Sequence, residues 1–304
     1  MAATTPRKFK FTATTGFFEH DNDRPTTVPP VEVITSPGLG LIDRSYKTDE
    51  TLDPERNKHT QWERFVHYLN HLNTGGGGKV VYKLIYAARH GEGYHNVKEA
   101  EVGTIAWESY WAKLDGDGKT VWADANLTPT GTRQALAMNC FWQNAAQSLR
   151  IPLPRRHYAS PLTRCLGTCK LAFSGLSLPP TSGIETPAFR PVIKEMARER
   201  LGIHTCDRRR TRTEICESHP EFTVEDGFAE NDELWKPDVR ETLAEHVVRV
   251  EALLADLFAN DDETIISVTA HSGTILALYA AIGHPEVRLA PGTIFPVLVR
   301  GEVV

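Results

Sequence analysis

The chain reads as an α/β protein, and three stretches say so. Val80, Val81, Leu84, Ile85, Ala87 and Ala88 form an apolar run of strand length that stops at Arg89-His90-Gly91-Glu92. Thr264 to Ala270 (TIISVTA) reads as a second buried strand, rich in β-branched residues, which stops at His271-Ser272-Gly273 before a helical segment from Thr274 to Ile282. His157 to Pro161 (HYASP) reads as a shorter strand leading into a helix from Leu162 to Ala172. Each strand hands the chain to a helix, with polar residues at the handover. In open α/β sheets that edge is where ligands bind, and amides free at a helix start favour an anion. Gly91 would let the backbone come close to such a ligand.

A chain of 304 residues, 40% apolar, can bury a full core. It suits one body, residues 79–304, with an N-terminal extension, residues 1–78, packing on it. The net charge of -5 argues against general affinity for nucleic acid. Five cysteines, an odd number with no CxxC pair, favour free thiols in a reducing compartment. No apolar segment approaches the roughly 18 residues of a membrane span. The first residues lack the apolar core of a signal peptide, so a cytoplasmic or nuclear protein with no membrane partner is expected. The glycosylation acceptor Asn126-Leu127-Thr128 carries no meaning without secretion.

Within the extension, Phe9, Phe11, Phe17 and Phe18 suggest a strand and turn, and the Pro-rich segment from Arg24 to Pro37 an extended loop. Thr60 to Leu72 has the spacing of an amphipathic helix with Trp62, Phe65, Val66, Leu69 and Leu72 on one face. His67 and His71 stand one turn apart on it, which is metal-ligand spacing, but a solvated helix face explains both without a third ligand nearby. The Gly75 to Gly78 run lacks the GK[ST] ending of a phosphate loop and reads as a linker.

Beyond the first strand, Val97 to Trp111 has mixed helical character, and Thr130 is a plausible N-cap for a helix carrying Ala135, Met138, Phe141, Trp142 and Ala145 at helical spacing. Phe189 to Lys194 is a third strand candidate, Pro237 to Phe258 the clearest helix, and Glu286 to Arg300 one or two edge strands. Arg208, Arg209, Arg210 and Arg212 concentrate positive charge, either as a solvated loop or as a basic rim for an anionic substrate.

The motifs together resemble the histidine phosphatase superfamily, in its phosphoglycerate-mutase-like branch, with a likeness to fungal and plant members in GIHTCDRR. RHGE at Arg89–Glu92 with Asn96, LTPTGTRQA, Ser160-Pro161-Leu162-Thr163-Arg164, a Glu with the Glu-x-x-Gly spacing at Glu199, and His271-Ser272-Gly273 follow in the family's order between about residues 80 and 283. Glu195 competes with Glu199, and Gly93-Tyr94-His95 is uncommon for the family and stands beside the presumed pocket. The resemblance implies a three-layer α/β/α sandwich around a mostly parallel sheet.

It also implies a chemistry. A phosphate monoester is negatively charged and very slow to hydrolyse, so its oxygens must first be neutralised. Arg89 and Arg164 would hold them in planar forks, with Asn96 and His271 adding donors. His90 would attack phosphorus to give a phosphohistidine, and Glu199 would protonate the departing alkoxide. No metal and no cofactor enter. The expected substrate is a small-molecule phosphate ester; a phosphotransferase of the mutase type, a protein phosphatase and a non-catalytic domain of the same fold are the alternatives. Nothing in the sequence indicates an oligomeric state.

Overall fold

The structure, a computed structural model, describes residues 8–21, 32–33, 35–55, 58–176 and 188–304. Its strands are β1 (Phe9–Ala13), β2 (Glu32–Val33), β3 (Val80–Arg89), β4 (Arg156–Ala159), β5 (Val192–Ile193), β6 (Thr223–Val224), β7 (Ile265–Ala270), β8 (Arg288–Leu289) and β9 (Ile294–Val303). Its helices are α1 (Asp49–Leu52), α2 (Gln61–Gly75), α3 (Tyr94–Val102), α4 (Thr104–Ser109), α5 (Pro129–Ser148), α6 (Thr163–Phe173), α7 (Arg212–Ser218), α8 (Leu243–Asn260) and α9 (Ser272–Ile282). Seven strands form one sheet in the order β1-β9-β3-β7-β4-β5-β6, and β2 pairs with β8 apart from it. The run from β3 to β6 is parallel, while β9 lies antiparallel between β3 and β1.

Alternation along β3 makes the three layers. Leu84, Tyr86 and Ala88 face Trp62 and Phe65 of α2, Met138 and Trp142 of α5, and Leu166 and Phe173 of α6. Ile85 and Ala87 face Val250, Leu254 and Leu257 of α8 and Ile275 and Leu278 of α9. Each large apolar side chain buried this way is worth about 1.5–3 kcal/mol. The outcome is a mixed, mostly parallel sheet between two helical layers, with a rigid strand edge.

The N-terminal residues share these cores: Phe17 and Phe18 belong to the first, and the rings of Phe9 and Phe11 pack on Phe258 of α8. Because β1 covers β9, the 294–303 strand is interior, which corrects the expectation of edge strands there. The Pro-rich segment lies in part outside the described residues, namely 24–31 and 34.

Several boundaries differ from expectation, each for a local reason. Thr128, not Thr130, caps α5, its hydroxyl accepting from the Gly131 amide at 3.0 Å, because Pro129 suits the first helical position. The segment 97–111 breaks at Gly103, whose φ of 82° ends α3 and starts α4. α8 begins only at Leu243, where Thr242 and Glu245 form a capping box. His67 and His71 are both exposed, on the solvated face of α2. The five cysteines are free, and among the described residues no helix is long and apolar enough to cross a membrane.

Candidate active site

Register brings the polar strand ends level. The His90 amide donates to the Ala270 carbonyl at 3.1 Å and the Ser160 amide to that of Thr269 at 3.0 Å, so β3, β7 and β4 deliver His90, His271 and Ser160 to one point of the edge. His90 Nδ1 lies 2.7 Å from the Gly91 carbonyl. A carbonyl only accepts, so Nδ1 carries the proton and Nε2 keeps its lone pair, to which Arg164 Nε–H donates at 3.3 Å. Burial, then Arg164 and Arg89, hold the imidazole's pKa well below the ordinary value, and the ring stays neutral.

Arg164 stands in the first turn of α6 and is fully buried. Its terminal nitrogens donate to the Cys206 carbonyl at 2.5 Å and to Asp207 Oδ1 at 2.9 Å. A guanidinium has five N–H groups, so each terminal nitrogen keeps one hydrogen for another acceptor. Asp207 also accepts from Arg240 at 3.0 Å. Burial would raise the Asp207 pKa, but Arg164 and Arg240 outweigh it and hold the group as a carboxylate. Arg89, at the end of β3, donates to the Leu289 carbonyl at 2.5 Å.

A cavity of about 220 Å³ opens on this edge, lined among others by Arg89, His90, His95, Asn96, Arg164, Glu199, Asp207 and Arg240. Asn96 lines it while its carboxamide oxygen accepts from the Gly93 amide at 3.0 Å, steadying the start of α3. His271 does not line the cavity. It lies behind His90, with ring centroids 5.1 Å apart, and its Nε2 is 2.8 Å from the Ser160 hydroxyl.

Of the two carboxylates the sequence leaves open, Glu199 lines the cavity and Glu195 does not. Glu199 accepts from the amides of Gly273 and Arg200, both at 2.9 Å. Burial, then the neighbouring Asp207, raise its pKa above the ordinary carboxyl value. Glu195 is taken up by Arg198 at 2.7 Å and Arg209 at 3.0 Å.

The Arg208–Arg212 run forms no rim. Arg208 pairs with Asp115, Arg209 with Glu195 and Arg210 with Asp124, while Arg212 opens α7; the cavity's cations are Arg89, Arg164, Arg200 and Arg240. Gly91 admits no ligand either: a Cβ there would strike the Gly131 backbone, so its bareness serves the packing of α5 against the loop. Three-ligand groups with metal-capable atoms stand, among the described residues, at His20, Asp21 and His284 and at His204, Cys206 and Asp207, not at His67 and His71. Sequence reasoning misses His204, Asp207 and Arg240 as cavity residues. The Thr242-x-x-Glu245 capping box was the available signal, since it frees Arg240 from a helix.

A family model described as the histidine phosphatase superfamily (branch 1) matches residues 108–292, which include Arg164, Glu199 and His271 and begin after His90. An Arthroderma benhamiae protein named "Probable phosphoglycerate mutase" is 44% identical over 287 residues, 94% of this chain and 83% of that one. A Saccharomyces cerevisiae protein, "Probable phosphoglycerate mutase PMU1", is 33% identical over 81% of this chain and 86% of its own. An Arabidopsis thaliana protein, "Phosphoglycerate mutase-like protein 1", is 30% identical over 68% and 75%.

Proposed function

The chain belongs to the histidine phosphatase superfamily, in the phosphoglycerate-mutase-like branch with fungal and plant homologues, and on that premise we propose that it is a metal-independent phosphomonoesterase working through a phosphohistidine on His90. Membership makes it an enzyme of that superfamily and supports phosphomonoesterase or phosphomutase activity. The observation that carries the finer reading is one cavity shared by a neutral imidazole whose Nε2 lone pair is met by Arg164 Nε–H at 3.3 Å, the guanidiniums of Arg89 and Arg164, and a carboxyl of raised pKa.

Arg89 and the two spare N–H groups of Arg164 take the phosphoryl oxygens, and Asn96 contributes at the rim. His90 Nε2 attacks phosphorus as the bond to the ester oxygen breaks, and Nδ1–H stays on the Gly91 carbonyl as positive charge develops on the ring. His271, fully buried and outside the cavity lining, sets its ring 5.1 Å from that of His90 and holds the Ser160 hydroxyl, so it supports the attacking imidazole and does not touch the phosphoryl group. Glu199 gives its proton to the leaving alkoxide, then takes one from the water that attacks the phosphohistidine. Inorganic phosphate and neutral His90 result.

The test is phosphate release from p-nitrophenyl phosphate and a panel of small phosphorylated metabolites, with and without a bisphosphate primer. Primer-independent release is expected. Primer-dependent isomerisation without net release would overturn the hydrolase reading in favour of a mutase.

A further inference from the structure

His95 stands in the cavity with no hydrogen-bond partner among the described residues. It is 8% exposed, its ring centroid lies 5.5 Å from that of His90, and its Nδ1 is buried and unbonded among the described residues. Nδ1 is closed off against Gly93, so Nε2, which has no hydrogen-bond partner among the described residues, is the ring nitrogen that can meet a ligand in the cavity. The site makes room for the ring: a Cβ at Gly93 would come within 2.7 Å of Nδ1. Burial, followed by Arg164 and His90, keeps the imidazole neutral, so it offers one donor and one acceptor.

What surrounds His95 narrows what it can bind. Glu99 and Glu108 line the same cavity, and His204 Nε2 donates to Glu108 at 3.0 Å while its Nδ1 accepts from Arg240 at 3.2 Å. The cations beyond the phosphoryl position are already engaged, Arg200 on the Glu241 carbonyl at 2.6 and 3.0 Å and Arg240 on Asp207 and two carbonyls. A leaving group bearing a carboxylate or a second phosphate would meet Glu99, Glu108 and a neutral ring alongside the N–H groups that Arg200 and Arg240 have left over. One bearing hydroxyls would find acceptors for its hydrogens and an imidazole able to answer in either sense.

Building on the phosphomonoesterase reading above, we propose that His95 is a specificity residue that hydrogen-bonds a hydroxyl of the leaving group, and that the substrate is a sugar or polyol monophosphate. No bond is made or broken at His95 itself.

The experiment measures kcat/KM of the full chain and of His95→Phe and His95→Gln on a hexose monophosphate, 3-phosphoglycerate and p-nitrophenyl phosphate, whose leaving group has no further hydroxyl. The wild type should favour the hexose phosphate over 3-phosphoglycerate. The ratio of hexose phosphate to p-nitrophenyl phosphate should fall about 10- to 100-fold in His95→Phe, as for loss of a buried hydrogen bond, and recover in part in His95→Gln. A ratio does not depend on how much of a variant folds. An unchanged ratio, loss of both activities in both variants, or a wild-type preference for 3-phosphoglycerate would overturn the proposal. Absence of any phosphate release by the wild type would instead sink the phosphatase reading beneath it.

Discussion

Two regions build the cavity, and they are made differently. His90, His271 and Ser160 stand where three parallel strands end in register, so sheet hydrogen bonds and the two apolar layers fix them together. Glu199, Asp207 and Arg240 come from the 195–242 excursion, which is nearly free of long regular elements and is held by charge. Arg198, wholly buried, pairs with Glu195 at 2.7 Å and Asp232 at 2.6 Å, and Arg249 of α8 donates to the carbonyls of Met196, Arg198 and Glu199 at 2.8, 2.9 and 3.0 Å. The comparison teaches a division of labour. On the proposed mechanism the strand edge carries the group that attacks, and the ion-pair framework carries the group that must gain and lose a proton.

The sharpest break between the two regions is Glu199→Gln. Turnover of alkyl phosphates should fall about 10²- to 10⁴-fold, the usual worth of a general acid, with a smaller fall on p-nitrophenyl phosphate, whose leaving group departs without a proton. The pH profile checks the same assignment. His90, with its depressed pKa, is neutral and competent above that value, so activity rises as pH climbs through it. Glu199, with its raised pKa, holds the needed proton below that value, so activity falls as pH climbs through it. The alkaline limb should vanish in Glu199→Gln.

Next in size is Arg198→Met, which removes the wholly buried cation that Glu195 and Asp232 share, leaving Glu195 on Arg209 alone and Asp232 on backbone amides. Thermal or denaturant unfolding should show a loss of about 3–5 kcal/mol. A loss below about 1 kcal/mol would mean that the excursion is held by something other than charge. Smallest is Thr242→Ala at the end of the excursion, which removes the cap of α8 and should cost about 1 kcal/mol in the same measurement.

The same contrast explains what could be read from the sequence. β3, β7 and the helices after them announce themselves by apolar period, and the polar residues at their ends follow from where a strand stops. Arg164, in the first turn of α6, was legible for that reason. The excursion has no period to read. Its order depends on pairs such as Arg164 with Asp207, 43 positions apart, and Arg198 with Asp232, 34 apart, which no local pattern reveals. Hence Glu195 and Glu199 looked alike in sequence, although one is bound by two arginines and the other faces the cavity. The arginine run misled likewise, because charge density in a chain does not say which carboxylates will answer it.

The central claim is that the phosphoryl group passes through His90 Nε2, and rapid quenching with labelled substrate, followed by peptide mapping, tests it most directly. The account predicts an acid-labile, base-stable phosphoryl label on His90 that forms and decays within turnover and is absent, with the activity, from His90→Ala. Label on another residue, or undiminished turnover by His90→Ala, would contradict it.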